Sequence, residues 1–160
     1  MAAATAFAAG ASISHVNGSI RIPTGGEAGD LSTVNGSIDV GANAKVGNVH
    51  SVNGSQTLGD GASAGNMTTV NGGIGVGRNA HITGDLRSVN GGLTLAQGAE
   101  LGGALTNVNG TIKIDGAHLA GGVTTVGGNI SVLNGGRVDG GILVRKPSAT
   151  WPTVVIPPPR

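Results

Sequence analysis

Val34-Asn35-Gly36-Ser37-Ile38-Asp39-Val40-Gly41-Ala42-Asn43-Ala44-Lys45-Val46-Gly47-Asn48-Val49-His50-Ser51 is one unit of a repeat, and its reading decides the fold. Its opening phrase stands also as Val16-Asn17-Gly18-Ser19-Ile20 and Val52-Asn53-Gly54-Ser55, with looser copies from Val70, Val89, Val108 and Val126. The valines are separated by 18, 18, 18, 19, 19 and 18 residues. A period this regular means one structural unit stacked on itself. Within the unit, apolar residues fall at positions 1, 5, 7, 11, 13 and 16, so two pairs alternate as strand residues do. Glycine or asparagine separates the pairs, which predicts three short strands and three corners per turn. The glycine density and the missing 3.6-residue period exclude helix.

Lining up the seven copies makes columns. Position 5 reads Ile20, Ile38, Gln56, Ile74, Leu93, Ile112 and Ile130, and position 7 reads Ile22, Val40, Leu58, Val76, Leu95, Ile114 and Val132. The third strand contributes Leu31, Val49, Met67, Leu86, Leu105, Val123 and Ile142. Nearly pure aliphatic columns are what the inside of a parallel β-solenoid requires. Each buried aliphatic contributes about 1.5–3 kcal/mol, so a stack is stable where one coil is not. Gln56 is the one polar residue expected inside, as a weak point or a bulge. The extra residue of the 19-residue steps falls before the third strand, at Thr83-Gly84-Asp85 and Gly102-Gly103-Ala104, where a loop absorbs it.

Asn17, Asn35, Asn53, Asn71, Asn90 and Asn109 form a polar column, each before a glycine. Asparagine suits a corner with left-handed backbone angles. At a rung spacing of about 4.8 Å the amides can bond from coil to coil. We read them as a structural ladder at buried corners. The last copy departs from the pattern, with Gly127 in place of asparagine.

Composition agrees with a narrow core. Glycine accounts for 32 of 160 residues, there is no tyrosine, and Phe7 and Trp151 are the sole aromatics. A net charge of +1 with 11% charged residues argues against a nucleic-acid partner, which calls for a basic stripe and stacking aromatics. The absence of cysteine excludes disulfides and thiolate metal sites. No run approaches the roughly 20 apolar residues of a membrane span.

The valine-asparagine-glycine-serine-isoleucine phrase, the alternating aliphatics and the Ala-x-Val-Gly-x-Val segment together resemble bacterial polymer-forming β-solenoids of the bactofilin type. They are also similar to adhesin-type β-helix proteins of bacterial envelopes. The resemblance spans about Ser14 to Val144. It implies a non-enzymatic rod, and for bactofilins a cytoplasmic, right-handed, three-sided one that forms filaments through its coil ends. The regular asparagine corner and the Ala-rich start, Met1 to Ser12, depart from that pattern. That start lacks a basic leader region. It reads either as the mature end left after cleavage or as a plain tail. Periplasm or cell envelope is therefore the expected compartment, with cytoplasm the alternative.

Chemistry-bearing groups are few. The outward residues of the middle strand read Glu27, Lys45, Ser63, His81, Glu100, His118 and Arg137. His81, Glu100 and His118 on successive rungs are a legitimate metal set. A solvated face of alternating charge accounts for them better, as it does for Arg21 beside Asp39, and no metal site is assigned. Asp30, Asp60, Asp85, Asp115 and Asp139 fall in corners rather than in one groove, against a hydrolase or lyase. Pairs such as Ser32-Thr33 and Thr68-Thr69 before each valine would order water if they formed a flat array, but His50 and Arg87 interrupt it.

The expected architecture is a single all-β, three-sided, right-handed parallel solenoid of about seven coils over residues 14–144, a rod some 30–35 Å long. An Ala-rich segment, 1–13, precedes it, and a Pro-rich tail, 145–160, follows. The expected function is non-enzymatic, with no catalytic residue and no cofactor. It is a self-assembling scaffold or filament former whose partner is a second copy, stacked end to end. Ile20, Ile22 and Leu31 would meet there with Ile130, Val132 and Ile142, while Phe7 and Trp151 are candidate plugs for the ends. The alternative is an adhesin-like envelope rod that binds a surface or polysaccharide, and ice binding is a remote third.

Overall fold

The structure, a computed structural model of the chain, describes residues 4–5 and 10–145. Three parallel sheets wind into a β-solenoid of about seven turns, with no helix among the described residues. The first face is an eight-stranded sheet: Ile13–Asn17, Leu31–Asn35, Val49–Asn53, Met67–Asn71, Leu86–Asn90, Leu105–Asn109, Val123–Thr125 and Ile142–Val144. The second face, also of eight strands, comprises Ala4–Thr5, Ile20–Ile22, Ile38–Val40, Gln56–Leu58, Ile74–Val76, Leu93–Leu95, Ile112–Asp115 and Ile130–Leu133. The third face has the shortest strands: Ser63–Ala64, His81–Ile82, Glu100–Leu101, His118–Leu119 and Arg137–Val138. Bridges from Glu27 to Lys45 and from Lys45 to Ser63 continue this face towards the start of the chain.

Each coil pairs with the next in strict register, Ile38 on Gln56 on Ile74 and Leu86 on Leu105. The longer steps leave this register intact. Met67 pairs with Leu86 because the added residue lies in the corner before the first face. The sixth coil keeps that longer corner yet spans 18 residues, since one residue is missing between Ile114 and His118. Two departures concern the start of the rod. Ala4–Thr5 already pairs with Ile20–Arg21, and the first long strand begins at Ile13. The expectations for Phe7, Trp151 and the Pro-rich tail lie outside the described residues.

The aliphatic columns form one continuous core, from Ile20 and Leu31 to Leu119 and Val123. At the inward corner before the third face the column reads Ala44, Ala62, Ala80, Ala99 and Ala117, all essentially buried. The bend is tight: at Gly26, in the same column, a Cβ would come within 2.9 Å of the Pro23 carbonyl oxygen.

The core is more polar than the sequence reading expected, because the first face carries an inward column of small polar side chains. Thr33, Ser51, Thr69, Ser88, Asn107 and Thr125 are all buried. Most of them are satisfied by one recurring bond. The side chain donates to the carbonyl of the corner glycine of the coil before: Thr33 to Gly18 at 3.0 Å, Thr69 to Gly54 at 3.3 Å, and Asn107 to Gly91 at 3.2 Å. The signature valine, one residue on, therefore points outward, and Val16 is 65% exposed. Gln56 is buried without a bulge. Its Nε2 donates to the Thr68 carbonyl at 2.6 Å, while its Oε1 has no partner among the described residues.

Candidate functional site

The asparagine ladder exists, but at the surface. Asn35, Asn53, Asn71, Asn90 and Asn109 each donate Nδ2 to the Oδ1 of the preceding asparagine, at 2.8–3.0 Å. All six asparagines, Asn17 included, are exposed rather than buried. Nor do they supply the positive backbone angle. That belongs to the following glycines, with φ 153° at Gly54 and 137° at Gly110. Glycine is also demanded by stacking, since a Cβ at Gly54 would run into the Gly36 carbonyl oxygen.

Two more columns complete the corners, and neither was read from the sequence. Between the second and third faces the left-handed position is held by Gly25, Asn43, Gly61, Asn79, Gly98, Gly116 and Asn134. A Cβ on Gly61 or Gly98 would collide with Oδ1 of Asn43 or Asn79, so an asparagine here requires glycine one coil on. Between the third and first faces, side-chain oxygens accept the backbone N–H of the next coil. Asp30 accepts from Asn48 at 2.8 Å, Asn48 from Asn66 at 3.1 Å, Asn66 from Asp85 at 2.7 Å and Asp85 from Ala104 at 2.8 Å. The 18- or 19-residue spacing of these Asp and Asn residues was the available signal. Both ladders stop short of the last coil: the asparagine ladder ends at Asn109, before Gly127, and the other ends sooner, at Ala104, since neither Gly127 nor Ala104 has the side chain to continue it.

The outward column of the third face is as expected, Glu27 through Arg137, but its histidines do not converge on one carboxylate. His81 Nδ1 lies 3.2 Å from Glu100 Oε2. His118 turns instead to Asp139, with Nε2 2.8 Å from Oδ2. Arg137 Nε donates to the other oxygen of Asp139 at 2.6 Å. The hydrogen bond from His118, and then that from Arg137, holds the Asp139 carboxyl below the ordinary aspartate range. On the second face Arg21 pairs with Asp39 at 3.6 Å. Further along that face a shallow depression of about 290 Å³ opens where Gly75 lies between Thr57 and Thr94.

The two ends differ. Ile20, Ile22 and Leu31, expected to form an open end, are 0–1% exposed and belong to the core. The strand Ala4–Thr5 and the first-face strand at Ile13 already provide a rung beyond them. At the C-terminal end the columns emerge: Val132 and Leu133 are exposed, Ile130 is half-buried, and Ile142 and Val144 are 50% and 56% exposed.

The coils, corners and unbroken register define a β-solenoid repeat protein. No family model, no curated protein and no solved structure matches the chain. No helix among the described residues is long and apolar enough to cross a membrane.

Proposed function

We propose that this β-solenoid is a non-enzymatic structural protein that associates with further copies of itself through its C-terminal end. The observation that carries the reading is the exposure of the aliphatic columns at Val132, Leu133, Ile142, Leu143 and Val144. An apolar surface on strand edges that no described residue pairs favours another β-rung. The rung that fits best is one with aliphatics at the same alternate positions, which the coils of this chain other than that of Gln56 provide. On the strength of the sequence resemblance, the bacterial envelope is the proposed setting.

The test is sedimentation velocity over a range of concentration, with negative-stain microscopy of the concentrated sample. We expect larger species to grow with concentration and to disappear in Val132→Lys, while circular dichroism keeps its β signal. A chain that stays monomeric at high concentration overturns the proposal.

A second reading, a rod that binds a surface polysaccharide, is favoured by the hydroxyl-walled depression at Gly75. Capture of a monomer by cell-wall polymer, lost in Gly75→Lys, would support that reading in place of self-association. The remote ice-binding reading weakens, since the second residue of each pair before the valines points inward and is buried.

A further inference from the structure

Six Asn-Gly dipeptides share one column and nearly one local sequence, yet the fold does not treat them alike. Asn-Gly is the dipeptide most prone to deamidation, because glycine leaves the following backbone nitrogen unhindered. That nitrogen loses its proton and attacks the asparagine Cγ. The N–Cγ bond forms, the Cγ–Nδ2 bond breaks, and ammonia leaves with the proton. Water then opens the five-membered succinimide to aspartate or isoaspartate. No oxidant or cofactor takes part.

In five of the six sites both reacting groups are tied down. The glycine N–H donates to the asparagine carbonyl of the next coil: Gly18 to Asn35, Gly36 to Asn53, Gly54 to Asn71 and Gly72 to Asn90 at 2.9 Å, and Gly91 to Asn109 at 3.0 Å. The side-chain oxygen of each of these asparagines accepts the next amide of the ladder. The sixth site loses both restraints, because the next coil carries Gly127 where the others carry asparagine. Asn109 still donates Nδ2 to Asn90 at 3.0 Å, but its Oδ1 receives no hydrogen bond among the described residues. The Gly110 N–H has no acceptor among the described residues either, and the backbone turns differently at that corner, where the Gly127 N–H donates to the Val108 carbonyl at 2.6 Å. The Gly110 backbone is shifted as well, with φ 137° against 153–158° at the other five glycines.

We propose that Asn109-Gly110 is the selective deamidation site of this column, and that the ladder protects the other five. Reaction there places a carboxylate, and in the isoaspartyl form an added backbone methylene, at the corner that precedes the last coil. The inference does not rest on self-association. It follows from the hydrogen-bond inventory of two groups in each dipeptide.

The test uses the full folded chain, incubated in mildly alkaline buffer and sampled over time. Tandem mass spectrometry assigns conversion at each of the six sites, and enzymatic methylation of isoaspartate in the separated peptides, so that Asn134-Gly135 and the Asp-Gly dipeptides are scored apart, gives an independent measure. Releasing two hydrogen bonds before attack should slow each ladder site about tenfold relative to Asn109. In denaturant the six should react at similar rates, since their sequences are alike. Gly127→Asn supplies the missing amide, so it should protect Asn109 and move the labile site one coil on, to position 127. A ladder asparagine that reacts as fast as Asn109 in the folded chain overturns the proposal. So does a ranking that persists in denaturant.

Discussion

At the scale of single residues, the amide ladder is a surface device whose cost of removal is correspondingly modest. Asn71 donates to Asn53 and accepts from Asn90, whereas Asn17, among the described residues, only accepts. Asn71→Ala should therefore cost about 1–2 kcal/mol and Asn17→Ala about half that, measured by chemical denaturation. Equal losses would mean that the asparagines act as turn formers alone. Gln56 predicts the opposite sign. Its buried Oε1 lacks a partner, while its column is otherwise aliphatic, so Gln56→Leu should stabilise the rod by about 1 kcal/mol; a loss of stability would show that its bond to the Thr68 carbonyl outweighs the orphaned oxygen. Asp139 supplies a pH dependence. Its carboxyl is held below the ordinary range by His118 and Arg137. Its contribution is thus present above the unfolded aspartate value near 3.9 and is lost as pH falls through the lower folded value. Carbon-detected NMR titration should find the Asp139 midpoint below the ordinary aspartate value, and His118→Ala should raise it. An unmoved midpoint would contradict the pairing. The aliphatic columns and the asparagine column were legible because each repeats at one position. The direction of the pair before each valine was not. The apolar valine points out and the polar Thr or Ser points in, because a corner-glycine carbonyl inside the coil receives the hydroxyl.

At the scale of the element, the corners set the rules and the strands follow. Glycines that look equivalent in sequence have different duties. Gly54 lies so close to the Gly36 carbonyl that Gly54→Ala must displace backbone, and the cost should be about 1–3 kcal/mol. Gly75 has nothing within 4 Å of a Cβ, so Gly75→Ala should be neutral or stabilising by about 0.4–1 kcal/mol through the unfolded state. Thermal melts of the pair check both signs, and similar losses would contradict the stacked-corner geometry. The three-strand coil, its register and the place of the added residues follow from the spacing of aliphatics and glycines. The mixed Gly and Asn column between the second and third faces was harder to see. Its logic is a clash between neighbouring coils rather than a motif within one.

At the scale of the molecule, the rod is asymmetric in a way its repeat conceals. Ile22 and Val132 occupy the same column, yet one is buried and the other exposed. Seven similar copies gave no sign of this, because the enclosing rung comes from Ala4–Thr5 and Ile13, outside the repeat phrase. A lysine at position 22 should therefore unfold the first coils, whereas Val132→Lys should leave the fold intact and remove association. The end that lacks both ladders is also the end where the columns emerge, so the last coil should open first. Association through the C-terminal end is read out by hydrogen exchange at several protein concentrations. Amides of Ile130–Leu133 and Ile142–Val144 should exchange rapidly in dilute solution and gain protection as concentration rises, while those of Leu31–Asn35 stay protected throughout. Exchange at the C-terminal strands that does not change with concentration would rule that association out.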